Sequence, residues 1–211
     1  MKVSVSVLSS SIKASDISKK LDNTQADFLH LDIMDGKFVE NKSWTFGEVK
    51  KIISYSRLPL DVHLMVNNPE KYIEDYALLN TSYLIFHYEA VKNVNEVINK
   101  IKDYGLKVGM AINPETDPKN IFPYLKDLDQ VLVMSVHPGK SGQTFIESTI
   151  EKIRSIKEEI ERTQSKAIIS VDGGINNETG LLCKEAGVDM MVSATYLHSN
   201  LQENIKILKN L

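Results

Sequence analysis

The chain has 211 residues, 42% of them hydrophobic and 25% charged, with a formal net charge of -3. That length fits one domain able to bury a real core, and the faintly acidic balance excludes a basic field that would recruit nucleic acid or an anionic membrane. No run approaches the roughly 18 apolar residues of a membrane-spanning helix. Residues 1–7 alternate like a strand and lack the apolar centre of a signal peptide, so a cytoplasmic location is the default expectation.

A first strand is predicted over residues 2–8, followed by Ser9-Ser10-Ser11 and a helix over 14–21. A second strand at 28–33 precedes a helix at 45–55. A third at 60–65 precedes a helix at 69–79, where Asn68-Pro69 reads as a cap followed by proline at the first helical position. Strand 83–87 leads to helix 94–104, strand 107–112 to helix 118–125, and strand 130–136 to helix 146–161. Strand 167–171 then leads to helix 178–186, with Asn176 or Asn177 as its cap, and strand 190–193 to helix 201–211. Gly105 and Gly187 fall just past helices, where a left-handed residue is expected. Cys183, the one cysteine, has no intramolecular disulfide partner and reads as a small buried apolar side chain.

Eight βα units recurring about every 25 residues predict a closed (β/α)8 barrel, a single domain over residues 1–211. The rival is an open doubly wound sheet. It calls for a glycine-rich dinucleotide turn after the first strand, where this chain has Ser9-Ser10-Ser11.

Active sites of such barrels form at the C-terminal ends of the strands. His30 and Asp32 lie at the end of the second predicted strand, and Asp61 and His63 lie in the third. In each pair the i, i+2 spacing puts both side chains on one face. Asp172 ends the seventh strand and is followed by Gly173-Gly174. Adjacent strands lie ~4.8 Å apart, so inward residues on them can share an ion. Imidazole with carboxylate suits Zn2+, Fe2+, Mn2+ or Co2+. Each residue alone has a plainer reading, as a hydrogen-bonded structural histidine or as an aspartate closing a cap or turn. Asp35-Gly36 is such a turn signal. Three matching strand ends in one barrel favour the metal reading. The glycine-rich turns at 138–143 and 172–176 follow strands six and seven. Backbone N–H groups there can approach an anion, and late barrel loops frequently hold phosphate.

Four strings carry a resemblance. They are Leu29-His30-Leu31-Asp32-Ile33-Met34-Asp35-Gly36, Leu60-Asp61-Val62-His63-Leu64-Met65-Val66, Met134-Ser135-Val136-His137-Pro138-Gly139 and Val171-Asp172-Gly173-Gly174-Ile175. In that order they resemble the ribulose-phosphate 3-epimerase family, over nearly the whole chain. The resemblance implies a barrel of the ribulose-phosphate-binding type with one divalent metal held by His30, Asp32, His63 and Asp172, Zn2+ being the first choice. It implies that Asp32 and Asp172 are the acid/base pair. It further implies substrate contacts from Ser6, His63, Met34, Met65 and Met134, although the methionines have a plainer reading as barrel filling. Phosphate contacts fall to Gly139, Ser141, Gly142, Gly173, Gly174, Ala194 and Thr195. The implied partners are a sugar phosphate and further copies of the chain, as a dimer or hexamer, with no nucleic acid and no membrane.

The implied reaction inverts carbon 3 of D-ribulose 5-phosphate to give D-xylulose 5-phosphate in the pentose phosphate pathway. A metal-stabilised cis-enediolate is the expected intermediate. Two aspartates are needed because a single base tends to restore the starting configuration; each such proton transfer contributes about 10²–10⁴-fold.

Several positions depart from the family pattern. Lys140 and Ser141 stand where an aromatic residue and a glycine are usual, and Ala194-Thr195 where Gly-Ser is usual. Val5 replaces a proline before the first-strand serine. The loop from Phe38 to Gly47 is about two residues longer than usual, lacks a proline at Glu40 and carries the one tryptophan, Trp44, so it is expected to bear on the pocket. His87 and Glu89 agree with the family and are expected to shape the pocket after strand four. These loop changes leave a hexose relative, D-allulose 6-phosphate, as the alternative substrate. Related decarboxylases and aldol-type enzymes resemble an Asp-x-Lys-x-x-Asp pattern, and Asp32-Ile33-Met34-Asp35 offers no lysine. A non-catalytic sugar-phosphate binder is the reading from another class, and the intact metal and acid/base positions argue against it.

Overall fold

Alternating apolar runs become eight parallel strands in the computed structural model, which describes residues 1–8 and 12–211. They are β1 (Lys2–Ser6), β2 (Phe28–Met34), β3 (Leu60–Met65), β4 (Thr81–His87), β5 (Lys107–Ile112), β6 (Gln130–Met134), β7 (Ile168–Asp172) and β8 (Met190–Ser193). Each pairs with the next, and β1 pairs with β8, so the sheet closes as a barrel in chain order. The Ser9-Ser10-Ser11 segment lies outside the described residues.

Helices pack around the barrel: α1 (Ala14–Leu21), α2 (Phe46–Ile53), α3 (Ile73–Ala77), α4 (Val94–Asp103), α5 (Thr149–Thr163), α6 (Asn177–Ala186), α7 (Thr195–Ser199) and α8 (Leu201–Asn210). Local chemistry sets several boundaries. Thr45 and Glu48 form a reciprocal capping box that starts α2, and Asn176 and Thr179 form one that starts α6. Gly105 and Gly187 take the left-handed conformation expected of them.

Three helix expectations need correction. The predicted helix at 69–79 divides into a 3-10 turn, Pro69–Lys71, and the short α3. Asn68 there is left-handed, with φ 55°, and its side chain makes no cap bond; its carbonyl instead accepts from the Lys71 N–H at 3.1 Å. The predicted helix at 118–125 is a 3-10 segment, Pro118–Tyr124, because Pro123 in its interior has no N–H to donate. The sequence reading also missed α7, a single short helix between β8 and α8.

Strand alternation sorts the core into two. In β2 and β3, Leu29, Leu31, Ile33, Leu60, Val62 and Leu64 point outward into the main cluster beneath the helices. A smaller cluster, including Phe28, Tyr83, Leu132 and Met190, fills the barrel interior. Among these interior residues runs a hydrogen-bonded polar group: Ser4 Oγ donates to Asp61 Oδ2 at 2.9 Å, and Gln130 Nε2 donates to Ser170 Oγ at 2.7 Å. Space inside is tight. A Cβ on Gly109 of β5 would stand 2.5 Å from Ile85 Cγ1, so only glycine fits there. Cys183 is fully buried, and burial pushes its thiol up to about 12, in keeping with an inert packing role.

Candidate active site and metal centre

Register brings the acid–histidine pairs together. β2 and β3 align His30 with Asp61 and Asp32 with His63. All four side chains are inward-facing members of adjacent parallel strands, and β7 adds its last residue, Asp172, from across the barrel. Asp32 Oδ1 lies 3.3 Å from His30 Nε2 and 3.2 Å from His63 Nδ1. Asp172 Oδ2 lies 3.7 Å and 3.8 Å from the same two nitrogens. One donor atom from each of His30, Asp32, His63 and Asp172 thus falls within 4.8 Å of all the others.

The His30 ring shows what this cluster requires. Its Nδ1 is 2.7 Å from Asp61 Oδ2, a carboxylate that can only accept, so Nδ1 carries the proton. Its Nε2 points into the cluster, is buried and has no hydrogen-bond partner among the described residues. An orphaned nitrogen lone pair beside two buried carboxylates fits a cation, and two nitrogen with two oxygen donors could hold a divalent one. The electrostatics make the same demand for positive charge. Burial alone would lower the His30 pKa, but the charges of Asp32 and Asp61 outweigh it and raise His30 well above the ordinary imidazole value. His63 goes the other way: burial takes it down to about 4, with His87 and His30 adding to the effect against its bond to Asp32.

The two carboxylates also diverge. Burial would raise Asp32, yet the neighbouring His30 and His63 overcome this and hold it far below the usual carboxylate range. Asp172 is raised by burial and by the charge of Asp32. Its side chain is 17% exposed against 6% for Asp32, so it is the more open of the two. Paired carboxylates whose environments separate them in this way are suited to opposite halves of a proton transfer.

A cavity of about 490 Å³ opens above the cluster. Its lining includes Ser6, Asp32, Met34, Met65, Met134 and Asp172, together with Gly139, Ser141, Gly142, Gly173, Gly174, Ala194 and Thr195. Every residue proposed from sequence for substrate or phosphate is therefore on its wall except His63. That residue and His30 are fully buried behind Asp32. Ser6 Oγ donates to Asp32 Oδ2 at 2.8 Å, so the serine holds the carboxylate while facing the cavity. Sequence reasoning missed Gln143, Thr179 and Tyr196, which also line the wall. Gln143 was legible as part of the glycine-rich turn; Tyr196 sits in α7, which had no sequence signal.

The departures from the family pattern resolve individually. Lys140 and Ser141 both reach the cavity wall. Ala194 has φ -121°, outside the left-handed region, so its methyl group adds no backbone strain. Trp44 does not line the cavity and instead packs against the outer core. The long loop folds back on the end of β2, Ser43 N–H donating to the Met34 carbonyl at 3.2 Å next to an Asp35–Lys42 bridge, and Asn41 Nδ2 donates to the Gly139 carbonyl at 2.8 Å. Asp35 is a turn residue, its carboxylate accepting from the N–H groups of Lys37, Phe38 and Asn67. His87 and Glu89 do not line the cavity, contrary to the expectation that they shape it; His87 lies behind His63, with their Nε2 atoms 2.8 Å apart. No helix among the described residues is long and apolar enough to cross a membrane.

Residues 2–198 match the family model described as the ribulose-phosphate 3 epimerase family. A Bacillus subtilis protein named ribulose-phosphate 3-epimerase is 38% identical over 209 residues, covering 97% of this chain and 96% of its own. One of the same name from Methanocaldococcus jannaschii is 42% identical over 177 residues, covering 84% and 75%. Among solved structures, KGPDC from Streptococcus mutans superposes with a TM-score of 0.70 at 11% identity, covering 99% of this chain and 95% of that one. N-(5'-phosphoribosyl)anthranilate isomerase from Pyrococcus furiosus gives a TM-score of 0.65 at 16% identity, with full coverage of both chains. At those identities the structural matches speak for the barrel fold alone.

Proposed function

The chain belongs to the ribulose-phosphate 3-epimerase family, and on that premise we propose that residues 1–211 act as one catalytic barrel interconverting D-ribulose 5-phosphate and D-xylulose 5-phosphate. The observation that carries the reading is the convergence of Asp32 and Asp172, with His30 and His63, on one point beneath a cavity lined by glycine-rich turns.

His30, Asp32, His63 and Asp172 would hold a divalent ion, Zn2+ first among the candidates, which would supply Lewis acidity toward substrate oxygens of roughly several kcal/mol. Carbon 3 bears a proton acidified by the neighbouring C2 carbonyl. One aspartate removes that proton from one face, and the other returns a proton to the opposite face of the planar intermediate, so configuration inverts. Asp32, held by Ser6 at the cavity wall, is one of the two carboxylates placed to take or return that proton. Asp172, the more open of the two and across the barrel from Asp32, is the other, and in the reverse direction the roles exchange. Met34, Met65 and Met134 are almost fully buried and give this part of the pocket an apolar wall that limits water. The turns carrying Gly139, Ser141, Gly142, Gly173, Gly174, Ala194 and Thr195 supply backbone N–H groups and hydroxyls for the phosphate, and Lys140 adds a charge.

Side-by-side turnover of D-ribulose 5-phosphate and D-allulose 6-phosphate tests the substrate. Higher kcat/KM on the pentose is expected, and preference for the hexose replaces the substrate while leaving the chemistry in place. Elemental analysis of purified protein, with activity lost to a chelator and restored by Zn2+, tests the metal; full activity without bound metal removes it from the account.

A further inference from the structure

His63 can bind a metal through Nδ1 only when that nitrogen is bare, which requires the ring proton on Nε2. Nothing on β3 fixes that choice. On the side away from the cluster, His63 Nε2 lies 2.8 Å from His87 Nε2, and the two rings stack with centroids 4.9 Å apart. His87, the last residue of β4, is fully buried, and its Nδ1 is 3.2 Å from Glu89 Oε2. Glu89 is anchored in turn, its Oε1 accepting from the Asn113 N–H at 2.8 Å and from the Thr116 hydroxyl. We propose that His87, oriented by Glu89, is a positioning residue that fixes His63 as an Nδ1 ligand by accepting its Nε2–H. The inference rests on the metal-site reading above.

Counting protons supports this direction. Two ring nitrogens in contact need one donor and one acceptor. If His87 Nε2 were the donor, a neutral His87 would turn a bare Nδ1 toward the Glu89 carboxylate, setting two acceptors against each other. A doubly protonated His87 would make His63 Nε2 the acceptor, take away the ligand lone pair and set a cation beside the metal site. With neutral rings, and an ion in place of a proton between His63 Nδ1 and Asp32 Oδ1, which lie 3.2 Å apart, one arrangement satisfies every contact: His63 Nε2–H donates to His87 Nε2, and His87 Nδ1–H donates to Glu89. Burial would push Glu89 up, but its bonds from His87, the Asn113 N–H and the Thr116 hydroxyl outweigh this and hold it at about 2, so a carboxylate acceptor is in place. The arrangement mirrors His30, whose proton is fixed by Asp61, so both imidazoles would be set from behind by a carboxylate, one directly and one through a second histidine.

The test uses the intact protein and Zn2+. Competition with a chelator measures Zn2+ affinity in the wild type, His87→Phe and His87→Gln. The phenylalanine keeps a ring and removes the acceptor, whereas the glutamine retains an acceptor oxygen. Losing such an outer partner typically costs about 10–100-fold in metal affinity, so H87F should fall by that factor and H87Q should recover most of it. Nitrogen NMR of the Zn2+-loaded wild type should find His63 protonated at Nε2 and facing a His87 that is bare at Nε2, a pairing that fails if His87 only packs beside the ring. H87F binding Zn2+ as tightly as the wild type overturns the inference, and so does a His87 protonated at Nε2. If H87F does not fold, Glu89→Ala probes the far end of the same chain, and the wild-type NMR needs no variant. A wild type that binds no Zn2+ overturns the metal-site reading itself; normal wild-type binding with an unaffected H87F overturns this inference alone.

Discussion

Asp61 sits at the base of the site without touching the cavity, and removing it separates support from chemistry. It is fully buried; its Oδ2 accepts from Ser4 Oγ at 2.9 Å and from His30 Nδ1 at 2.7 Å, and its Oδ1 is 3.5 Å from Gln130 Nε2. Asp61→Ala strands two well-formed buried donors at about 1–3 kcal/mol each, so a loss of about 2–6 kcal/mol is expected. That is a large part of a total stability of roughly 5–15 kcal/mol. With a urea slope of about 2 kcal/mol/M the unfolding midpoint should drop by about 1–3 M. The His30 proton also loses its acceptor, and Zn2+ affinity should weaken by roughly 10–100-fold. Asp61→Asn keeps the volume and one acceptor oxygen. Its amide can be received by Gln130 Oε1, which is buried without a partner among the described residues, once the Gln130 amide rotates. That variant should lose only about 1 kcal/mol. Urea unfolding followed by circular dichroism, with chelator competition for Zn2+, reads both effects. An Asp61→Ala protein within about 0.5 kcal/mol of the wild type, a change typical of an unremarkable surface site, would refute the reasoning.

Glu89 should carry part of the acid sensitivity of the fold. Its pKa is about 2 in the folded protein against an ordinary 4.5, so its contribution is complete above pH 4.5 and disappears as pH falls through 2. The shift corresponds to something on the order of 3 kcal/mol; Glu89→Gln should therefore show a flatter fall in stability over that interval, and equal slopes in the two proteins would count against it. At Gly173 the backbone has φ +121°, and a Cβ would meet Val136 Cγ2 at 2.4 Å. Gly173→Ala combines left-handed strain of about 1–3 kcal/mol with overpacking of about 1–3 kcal/mol. It should also shift the adjacent Asp172 and depress kcat, and an equally stable, equally active variant would show that this close approach is unimportant.

The clustered acid and histidine residues were legible because the i, i+2 spacing in β2 and β3 survives folding unchanged, and the strand ends needed only a barrel to bring them together. What holds those residues was not legible. The pairing of Asp61 with His30 depends on the register between β2 and β3, and that of His63 with His87 on stacking between β3 and β4. No spacing within one strand encodes either. The outer elements failed for local reasons: a proline inside the 118–125 pattern converted it to 3-10 geometry, and Thr195–Ser199 is too short to show a helical period. Trp44 illustrates the limit for loops, since its position in sequence pointed toward the pocket while its side chain packs on the outer core.

Two aspartates serving opposite faces of carbon 3 would leave a distinct mark on solvent exchange at that carbon, and this exchange tests them most directly. D-Ribulose 5-phosphate is incubated in heavy water with Zn2+-loaded wild type, Asp32→Asn or Asp172→Asn, and deuterium at carbon 3 of each epimer is followed by NMR. The wild type should place deuterium in both epimers as they interconvert. Each variant should lose epimerisation by about 10²–10⁴-fold while retaining exchange into the one epimer whose hydrogen faces the remaining aspartate. Epimerisation without exchange in the wild type, or a metal-loaded Asp172→Asn protein that epimerises at the wild-type rate, would contradict the account.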